Sequence, residues 1–341
     1  MILRNIKKFN LMKKRKVSIL IVDDTPTNLQ LVERILRPEG YELTLATDGI
    51  EALREVNRKH FDLILLDVMM PRMDGFEVCR KLKINSITKD IPVIFLTAVS
   101  DISGITEGFQ VGGVDYIVKP FKPVELKARI KTHLELKFLR EKDVEQTQRD
   151  IVMTLGFVGE LRSKDTGKHV ERVAEYSGLM ADLCGMDEDE VEIVKLAAAM
   201  HDIGKVAVPD AILNKPGRLN DEERLIMNKH TQWGHYIFNR SQKPILQAAA
   251  TIAYEHHEKW DGSGYPRGLK GESIHIYGRI AALVDVFDAL GTVRSYKEAW
   301  DLNDIFATIR TESGKHFDPK LVDLFIDNYG DFLAIRERLS E

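Results

Sequence analysis

Short apolar runs alternate with amphipathic segments from Val17 to about His133. The runs SILIVDD, YELTLA, FDLILLD, IPVIFLTA and VDYIVKP are each followed by a segment whose apolar residues repeat with a helical period. Five such units predict a parallel sheet with helices on both faces. The uninterrupted apolar runs LILL and VIFL are typical of strands that are buried on both sides.

From about residue 151 the apolar residues follow long helical periods. In DEVEIVKLAAAMHD, for example, Val191, Val194 and Ala198 fall on one helix face. This half of the chain is therefore predicted to be all-α, and a long helix is expected to join the two domains. The predicted segments are a basic N-terminal tail (1–15), an α/β domain (16–137), a helical connector (138–150) and an all-α domain (151–341).

The region around the connector is rich in charged residues and good helix formers. It carries an apolar stripe at Leu126, Ile130, Leu134, Phe138 and Val144. The stripe favours a homodimer in which two connector helices pair. A single solvated helix that rests on the second domain is the alternative.

Composition and charge narrow the class of protein. The 341 residues are 44% apolar and 30% charged, and no apolar run reaches the roughly 20 residues that span a bilayer, so we expect a cytoplasmic protein without membrane insertion. The net charge of −4 and the lack of a basic recognition helix after the connector argue against DNA binding. Cys79 and Cys184 lack the spacing of a disulfide scaffold or a zinc ribbon.

Acidic residues stand where two of the predicted strands end. Asp23 and Asp24 end the first strand, and Asp67 ends the third. In a flavodoxin-like sheet of strand order 2-1-3-4-5, the carboxyl ends of these strands meet where the strand order reverses. Three carboxylates crowded there repel each other unless a hard divalent cation joins them, and magnesium is the natural ion. Capping of loops is the alternative role for these acids.

Thr97 closes the fourth predicted strand and Lys119 the fifth, where their hydroxyl and ammonium would reach the oxygens of a phosphoryl group on Asp67. The motifs IVDD, LLDVMMPRMDG, LTA and VKPF, in this order and spacing, make residues 16–137 similar to a response-regulator receiver domain. The resemblance implies that a cognate histidine kinase phosphorylates Asp67. It assigns Asp23, Asp24, Asp67 and the carbonyl of Met69 to a magnesium ion, and Thr97, Tyr116 and Lys119 to the conformational switch.

The helical half holds histidines and acids in several short motifs. They are His169 in DTGKH, His201 with Asp202 in MHDIGK, His230 in MNKHTQWG, His256 and His257 in HHEKWDGSGYP, and Asp285 in LVDVFDAL. Any one such histidine alone would more often be a surface or core residue. Imidazoles and carboxylates spread over several helices of a bundle together predict a multinuclear metal centre. The mixture of nitrogen and oxygen donors without cysteine favours iron or manganese over structural zinc.

Adjacent His201 and Asp202 supply a terminal nitrogen ligand and a carboxylate that can bridge two ions. Two close ions generate hydroxide near neutral pH and stabilise an in-line phosphoryl displacement, so phosphodiester hydrolysis is the expected reaction. Lys205, on the same turn, would neutralise a phosphate oxygen or protonate the leaving 3′-oxygen, with a solvated helix lysine as the alternative. Tyr265, in the tight loop WDGSGYP, would stack on a base or donate its hydroxyl to a phosphate.

The HDIGK and HHEKWDGSGYP motifs make residues from about 148 to 341 similar to the HD-GYP subgroup of HD-domain phosphohydrolases. The resemblance implies hydrolysis of cyclic di-GMP to the linear dinucleotide pGpG, with onward cleavage to GMP left open. Asp202 would bridge the ions, and Asp288 is the alternative to Asp285 as a ligand. The implied metal ligands are His169, His201, Asp202, His230, His256, His257 and Asp285.

Two departures from the family pattern bear on this assignment. Asp165 in DTGKH replaces the glutamate of the ETGxH motif in members with three metals, so two ions are expected, and three are the alternative, with Asp165 as a further ligand. The stretch TVRSYK keeps Arg294 and Lys297 of the family's SDRPYK but loses its aspartate and proline. Arg294 and Lys297 are predicted to clamp substrate phosphates, with a structural role as the alternative.

Three functions compete at this point. The first is a phosphodiesterase that is tuned by phosphorylation of Asp67 through rearrangement of the connector helix. The second is an adaptor whose GYP loop recruits a partner such as a diguanylate cyclase, with little turnover. The third is an enzyme that acts on pGpG or another cyclic dinucleotide. The full set of metal donors favours an enzyme over an adaptor.

Overall fold

The computed structural model describes residues 16–98, 102–162, 167–292 and 300–340. The chain separates into two compact units, Met1–Val144 and Glu145–Glu341, and this division falls inside the predicted connector. The predicted basic tail of residues 1–15 lies outside the described residues. In the part of the chain that is described, no helix is both long and apolar enough to cross a membrane.

The first unit contains a five-stranded sheet whose paired strands are all parallel. The strands are β1 (Ser18–Val22), β2 (Glu42–Ala46), β3 (Leu63–Asp67), β4 (Val93–Thr97) and β5 (Asp115–Val118). Their order is β2-β1-β3-β4-β5, which confirms the predicted order. Leu20 and Val22 pack into the core on one face of the sheet, and Ile19 and Ile21 pack into the core on the other.

Helices follow the strands in alternation, which confirms the predicted α/β class. Asp48 and Asp74 cap the second and third helices, because their carboxylates accept hydrogen bonds from backbone N–H groups of the first turn. The helices that begin in this unit are α1 (Pro26–Leu36), α2 (Gly49–Arg58), α3 (Gly75–Ile84), α4 (Ile102–Gln110) and α5 (Pro123–Glu160).

The helix α5 begins in the first unit and ends in the second, over 38 residues. Its buried residues Leu126, Ile130 and Leu134 belong to one core of the sheet. Phe138 and Val144, which continue the predicted apolar stripe, are exposed. The first three positions of the stripe are therefore occupied by packing within the chain.

The regular secondary structure among the described residues of the second unit is helical, apart from a β-bridge between Ser313 and Phe317. This confirms the predicted all-α class. The core includes the edge-to-face pair Tyr176 and Phe287, whose ring centroids lie 5.1 Å apart. The helices are α6 (Gly167–Leu183), α7 (Glu188–Ala198), α8 (Asp210–Leu213), α9 (Asp221–Asn228), α10 (His230–Phe238), α11 (Pro244–Glu255), α12 (Ile276–Gly291), α13 (Leu302–Thr311), α14 (Pro319–Asp327) and α15 (Tyr329–Arg338).

Candidate phosphorylation site and metal centre

Three aspartates meet at the carboxyl ends of β1 and β3. Carboxylate oxygens of Asp23, Asp24 and Asp67 all lie within 4.8 Å of one another. Asp23 and Asp67 are buried, whereas Asp24 is exposed. The arrangement gives oxygen donors suited to Mg²⁺ on a site that is open to solvent on one side.

Lys119 joins the two buried carboxylates. Its Nζ lies 2.6 Å from Asp23 Oδ2 and 2.8 Å from Asp67 Oδ2. Burial lowers the pKa of Lys119, but the bonds to the two aspartates outweigh it and raise the pKa. Burial also raises the pKa of Asp67, against the opposing effect of Lys119. The ammonium therefore stays charged where a phosphoryl group on Asp67 would carry its oxygens.

The loop after β3 folds back on Asp67. The backbone N–H of Met69 donates to the Asp67 carboxylate, and the Met69 side chain is exposed. A Cβ on Gly75 would lie 2.2 Å from the Asp67 carbonyl oxygen, so only glycine allows this approach.

The predicted switch residues lie on the neighbouring strands. Thr97 ends β4, and its carbonyl accepts a hydrogen bond from the Lys119 N–H over 2.7 Å. Tyr116 lies on β5, where its ring is 6.3 Å from Phe109 and 6.0 Å from the guanidinium carbon of Arg129. The sheet thus brings Thr97 beside Lys119 and leaves Tyr116 half-buried on the adjoining strand.

In the second unit, His201 and Asp202 lie on a tight turn between α7 and the 3-10 helix Ile203–Ala207, which carries Lys205. This turn lies directly against the start of α10. A Cβ on Gly204 would lie 1.9 Å from the His230 carbonyl oxygen, which explains the glycine of HDIGK. The close approach places His230 beside the His-Asp pair.

Four imidazoles form a hydrogen bond through the same ring nitrogen, Nδ1. Nδ1 of His201 lies 2.9 Å from the Ala198 carbonyl, Nδ1 of His230 lies 2.8 Å from the Met227 carbonyl, Nδ1 of His256 lies 3.0 Å from the Ile252 carbonyl, and Nδ1 of His169 lies 2.7 Å from Asp288 Oδ2. In each ring this bond fixes a proton on Nδ1 and leaves Nε2 for another partner. The Nε2 atoms of His230 and His256 are only 3.4 Å apart, and His201 Nε2 is also buried.

Asp202 lies between two groups of donors. Its Oδ1 is 3.3 Å from His230 Nε2 and 3.7 Å from His256 Nε2. Its Oδ2 is 3.1 Å from His201 Nε2 and 2.6 Å from Lys205 Nζ. The carboxylate is therefore placed to bridge two ions, one on each side.

The electrostatics of these groups follow from burial and from Asp202. Burial lowers the pKa of His230 to about 4 and holds that of His257 well below its usual value. Burial also acts to lower the pKa of His201, but Asp202 outweighs it and raises the value to about 10. Burial alone would raise the pKa of Asp202, yet Lys205 and His201 hold it well below its usual value. His230 and His257 are therefore neutral at pH 7, as a divalent cation requires of its imidazole ligands, whereas His201 holds a proton against Asp202 that an incoming cation would have to displace.

Asp285 and Asp288 contact opposite nitrogens of the His169 ring. Asp285 Oδ1 lies 3.6 Å from His169 Nε2 and 3.8 Å from His201 Nε2, on the side of the free lone pairs. Asp288 instead bonds to His169 Nδ1 and to Arg172 Nε at 2.6 Å. The geometry therefore favours Asp285 as the ligand and makes Asp288 the partner that orients His169.

Glu160, the last residue of α5, was missed by the sequence analysis. Its carboxylate, His169 and His201 each have a donor atom within 4.8 Å of the others, and Glu160 is buried. A lone acid in the stretch GFVGEL has no spacing that is typical of a metal ligand, and only tertiary packing brings it here. The predicted residues Asp165, Arg294 and Lys297 lie outside the described residues.

The loop after α11 places Tyr265 beside the histidines. The Tyr265 ring stacks on His257 with centroids 4.8 Å apart and planes 30° from parallel. Buried Glu258 holds the loop, since its carboxylate accepts hydrogen bonds from the N–H groups of Arg267 at 2.8 Å and Leu269 at 2.9 Å. Burial raises the pKa of Tyr265, so its hydroxyl stays protonated and can donate.

Comparisons with known proteins agree with both halves of the chain. A family model of the response regulator receiver domain matches residues 19–131, and a model of the HD domain matches residues 159–321. The chain is 36% identical over 329 residues to the cyclic di-GMP phosphodiesterase response regulator RpfG of Xanthomonas campestris pv. campestris (strain 8004), covering 91% of this chain and 87% of that protein. It is 36% identical over 334 residues to a cyclic di-GMP phosphodiesterase of Thermotoga maritima, covering 91% of this chain and 90% of that protein.

A third relative matches only part of the chain. The 3'3'-cGAMP-specific phosphodiesterase 2 of Vibrio cholerae is 48% identical over 199 residues, which cover 58% of this chain and 38% of that protein.

Proposed function

This chain belongs to the family of cyclic di-GMP phosphodiesterase response regulators, in which a receiver domain precedes an HD domain, and we propose that its buried histidine centre hydrolyses cyclic di-GMP to pGpG, with GMP as the product of a second cleavage. The observation that carries the proposal is that three imidazoles, His201, His230 and His256, are each hydrogen-bonded through Nδ1 and place Nε2 within 3.7 Å of an oxygen of Asp202.

The donor set fits two divalent cations. On one side of Asp202 lie His230, His256 and His257, and on the other side His169, His201 and Asp285. The buried atoms His201 Nε2 and Asp202 Oδ1 face other donor atoms of the centre, at 3.1 Å from Asp202 Oδ2 and 3.3 Å from His230 Nε2 respectively, as expected of atoms that serve as ligands. Nitrogen and oxygen donors favour iron or manganese, with Asp165 as a ligand if a third ion binds. When bound, such ions would supply a hydroxide near neutral pH and neutralise charge on the reacting phosphate.

The chain's own residues would position the substrate. Lys205 lies at the edge of the centre with its ammonium against Asp202, where it can bind a non-bridging phosphate oxygen or give a proton to the leaving 3′-oxygen. Tyr265 would stack on a base or donate its hydroxyl to the second phosphate. Arg294 and Lys297 are proposed to clamp the phosphates from the segment after α12.

The first unit would regulate this reaction. A histidine kinase would phosphorylate Asp67 in the presence of Mg²⁺ bound by Asp23, Asp24, Asp67 and the Met69 carbonyl, and Thr97, Tyr116 and Lys119 would respond. We propose that the response reaches the enzyme through α5 and that the protein works in the cytoplasm. A homodimer would pair the exposed positions of α5, which include Phe138, Val144 and Ile151; sedimentation of the intact protein tests it.

The proposal is tested by anaerobic purification, metal analysis and chromatography of the products from cyclic di-GMP. We expect about two iron or manganese ions per chain and conversion to pGpG. Binding of cyclic di-GMP without cleavage, in protein that carries its metals, would instead make this an adaptor that recruits a partner such as a diguanylate cyclase.

The relative from Vibrio cholerae favours one second candidate, 3'3'-cGAMP, because it is 48% identical to this chain over 199 residues, against 36% for the two longer matches. The two substrates differ in one base and share the phosphodiester ring. Rates on cyclic di-GMP, 3'3'-cGAMP and pGpG, measured side by side at equal metal content, decide between them. A higher kcat/KM on 3'3'-cGAMP or on pGpG would replace cyclic di-GMP as the proposed substrate.

A further inference from the structure

The last turns of α5 lie against the backbone of the turn that carries the metal ligands. A Cβ on Gly156 would be 2.2 Å from the Ala199 carbonyl oxygen, and a Cβ on Gly159 would be 2.9 Å from Ile203 Cα. These two glycines let the helix approach the His201–Asp202 turn more closely than any side chain would allow. A movement of the end of α5 therefore either carries this turn with it or breaks the close contact between them.

Polar contacts link the same two segments. Glu160 Oε1 lies 3.2 Å from Lys205 Nζ, and the carboxylate is almost fully buried. Two residues later, Arg162 donates to the carbonyls of Val206 and Val208, the second at 2.8 Å, and so holds the 3-10 helix that carries Lys205. Both the ammonium of Lys205 and its backbone are thus tied to the end of α5.

A lysine has four rotatable side-chain bonds, so one partner does not fix its ammonium in space. Lys205 Nζ is 2.6 Å from Asp202 Oδ2 and 3.2 Å from Glu160 Oε1. Those carboxylates belong to different elements, and two anchors in different directions define the position of the ammonium. Without Glu160, the attraction of Asp202 is no longer balanced from this direction and draws the ammonium toward the oxygen that also faces His201.

Resting on the proposed phosphodiesterase function, we infer that Glu160 is a positioning residue that holds the Lys205 ammonium at the reacting phosphate, so that the end of α5 sets the position of this lysine. Since α5 begins at Pro123, shortly after Lys119 of the phosphorylation site, a displacement of the helix caused by phosphorylation would reach the reaction at this contact. Glu160 acts through Lys205 and is not itself a required metal ligand.

A double-mutant cycle tests the inference in the full-length, metal-loaded protein. Lys205→Met is expected to lower kcat on cyclic di-GMP about 100-fold, and Glu160→Gln about 10-fold because the ammonium is misplaced. The double variant should be no slower than Lys205→Met alone, because Glu160 has nothing left to position. Metal content should equal that of the wild type in all three. Glu141→Gln, at an exposed position of the same helix that pairs with Lys137, serves as the control and should keep the wild-type rate.

Two results would overturn the inference. If the effects of the two substitutions multiply in the double variant, Glu160 acts independently of Lys205. If Glu160→Gln loses metal, Glu160 is a ligand instead. A wild-type protein that cleaves no cyclic di-GMP would refute the proposed function alone, and the same cycle is then read from the affinity of the manganese-loaded proteins for inorganic phosphate. There, too, a non-additive loss supports the positioning role and an additive loss contradicts it.

Discussion

The Asp288 carboxylate accepts a hydrogen bond from His169 Nδ1 over 2.7 Å, and this bond turns the His169 Nε2 lone pair toward Asp285. The same carboxylate binds the buried guanidinium of Arg172 through Nε at 2.6 Å and Nη2 at 2.9 Å. Charge from Arg172 keeps Asp288 ionised, and its pKa is lowered despite burial. A ligand that is oriented in this way loses less entropy when it binds a metal.

Asp288→Asn is therefore expected to weaken metal binding on the His169 side about 10- to 100-fold, as is usual when the partner of a ligating histidine is changed. Titration of metal-free protein with Mn²⁺ measures the effect. Glu171→Gln, on the exposed side of α6 beside Lys168, is the matched control. Unchanged affinity in Asp288→Asn would mean that His169 needs no orienting partner or does not bind metal.

Asp67→Asn should abolish phosphorylation of the intact protein by a small phosphodonor in the presence of Mg²⁺. Asp67 is buried, and its carboxylate lies beside Lys119 at the strand ends. A phosphoprotein gel after incubation with acetyl phosphate reads the modification. Asp90→Asn, at an exposed site in the same unit, should retain it. Residual labelling of Asp67→Asn equal to that of the wild type would place the phosphoryl group elsewhere.

Asp115 joins β5 to α5 through a bidentate bond to Arg129 at 2.8 and 2.9 Å and a contact of 3.0 Å to His133. Burial alone would raise the pKa of Asp115, but Arg129 and His133 lower it below 3.8. The carboxylate then stabilises the folded unit above its unfolded pKa, and the contribution is lost as the pH falls through the lower folded value. Because Arg129 is partly exposed, the contribution is about 1 kcal/mol.

Asp115→Asn should thus be about 1 kcal/mol less stable than the wild type at pH 7 and at pH 5. The difference should shrink once the pH falls below about 3.9, the ordinary pKa of an aspartate in an unfolded chain. Urea unfolding of both proteins across this range measures the difference, and titrating groups that do not contact Asp115 cancel because both proteins share them. If the difference in unfolding free energy between the two proteins grew as the pH fell, it would contradict the assigned direction of the Asp115 pKa shift.

The Tyr265 ring lies on His257 at the edge of the centre. If this ring supports a base of the substrate, Tyr265→Ala should raise KM about 10-fold, while Tyr265→Phe should stay close to the wild type. Tyr236→Ala, at an exposed ring beside Arg240, is the control. If Tyr265→Phe were as impaired as Tyr265→Ala, the hydroxyl rather than the ring of Tyr265 would be the group that binds the substrate.

Strand-end residues could be predicted from sequence because their placement follows from local pattern. In a parallel sheet of order 2-1-3-4-5, residues at the carboxyl ends of the strands lie along one edge of the sheet. The sequence therefore predicts that Asp23, Asp67 and Lys119 lie close together. The same holds for His201 and Asp202, which are neighbours in the chain.

The choice between Asp285 and Asp288 could not be made in the same way. Both lie on α12 three residues apart, and helical spacing puts them near one face. The distinction depends on Arg172 of another helix, which binds Asp288. Glu160 was missed for a related reason: 45 positions separate it from Lys205 in the chain, and only the glycine packing of α5 brings them together.

The packing of Gly156 against the turn that carries the ligands can be tested directly. Gly156→Ala would place a methyl group 2.2 Å from the Ala199 carbonyl oxygen, and backbone on both sides leaves no flexible atom to yield. Overpacking of this kind costs about 1–3 kcal/mol. The helix must then move away from the turn that holds His201 and Asp202, so we expect the second unit to unfold earlier and hydrolysis to fall, while phosphorylation of Asp67 is retained.

Gly330→Ala is the matched control, because a Cβ there meets nothing within 4 Å. Alanine also favours a helix over glycine by up to about 1 kcal/mol, so this variant should be as stable as the wild type or more so. Gly156 lies inside α5, whereas Gly330 is the second residue of α15, so the gain in helix propensity from alanine should be at least as large at Gly156. A loss of stability there therefore has to come from its close contacts, of which the Ala199 carbonyl oxygen is the nearest. If Gly156→Ala unfolded as late as Gly330→Ala and hydrolysed its substrate as fast, the close approach of α5 to the ligand turn would not be what sets the geometry of the centre.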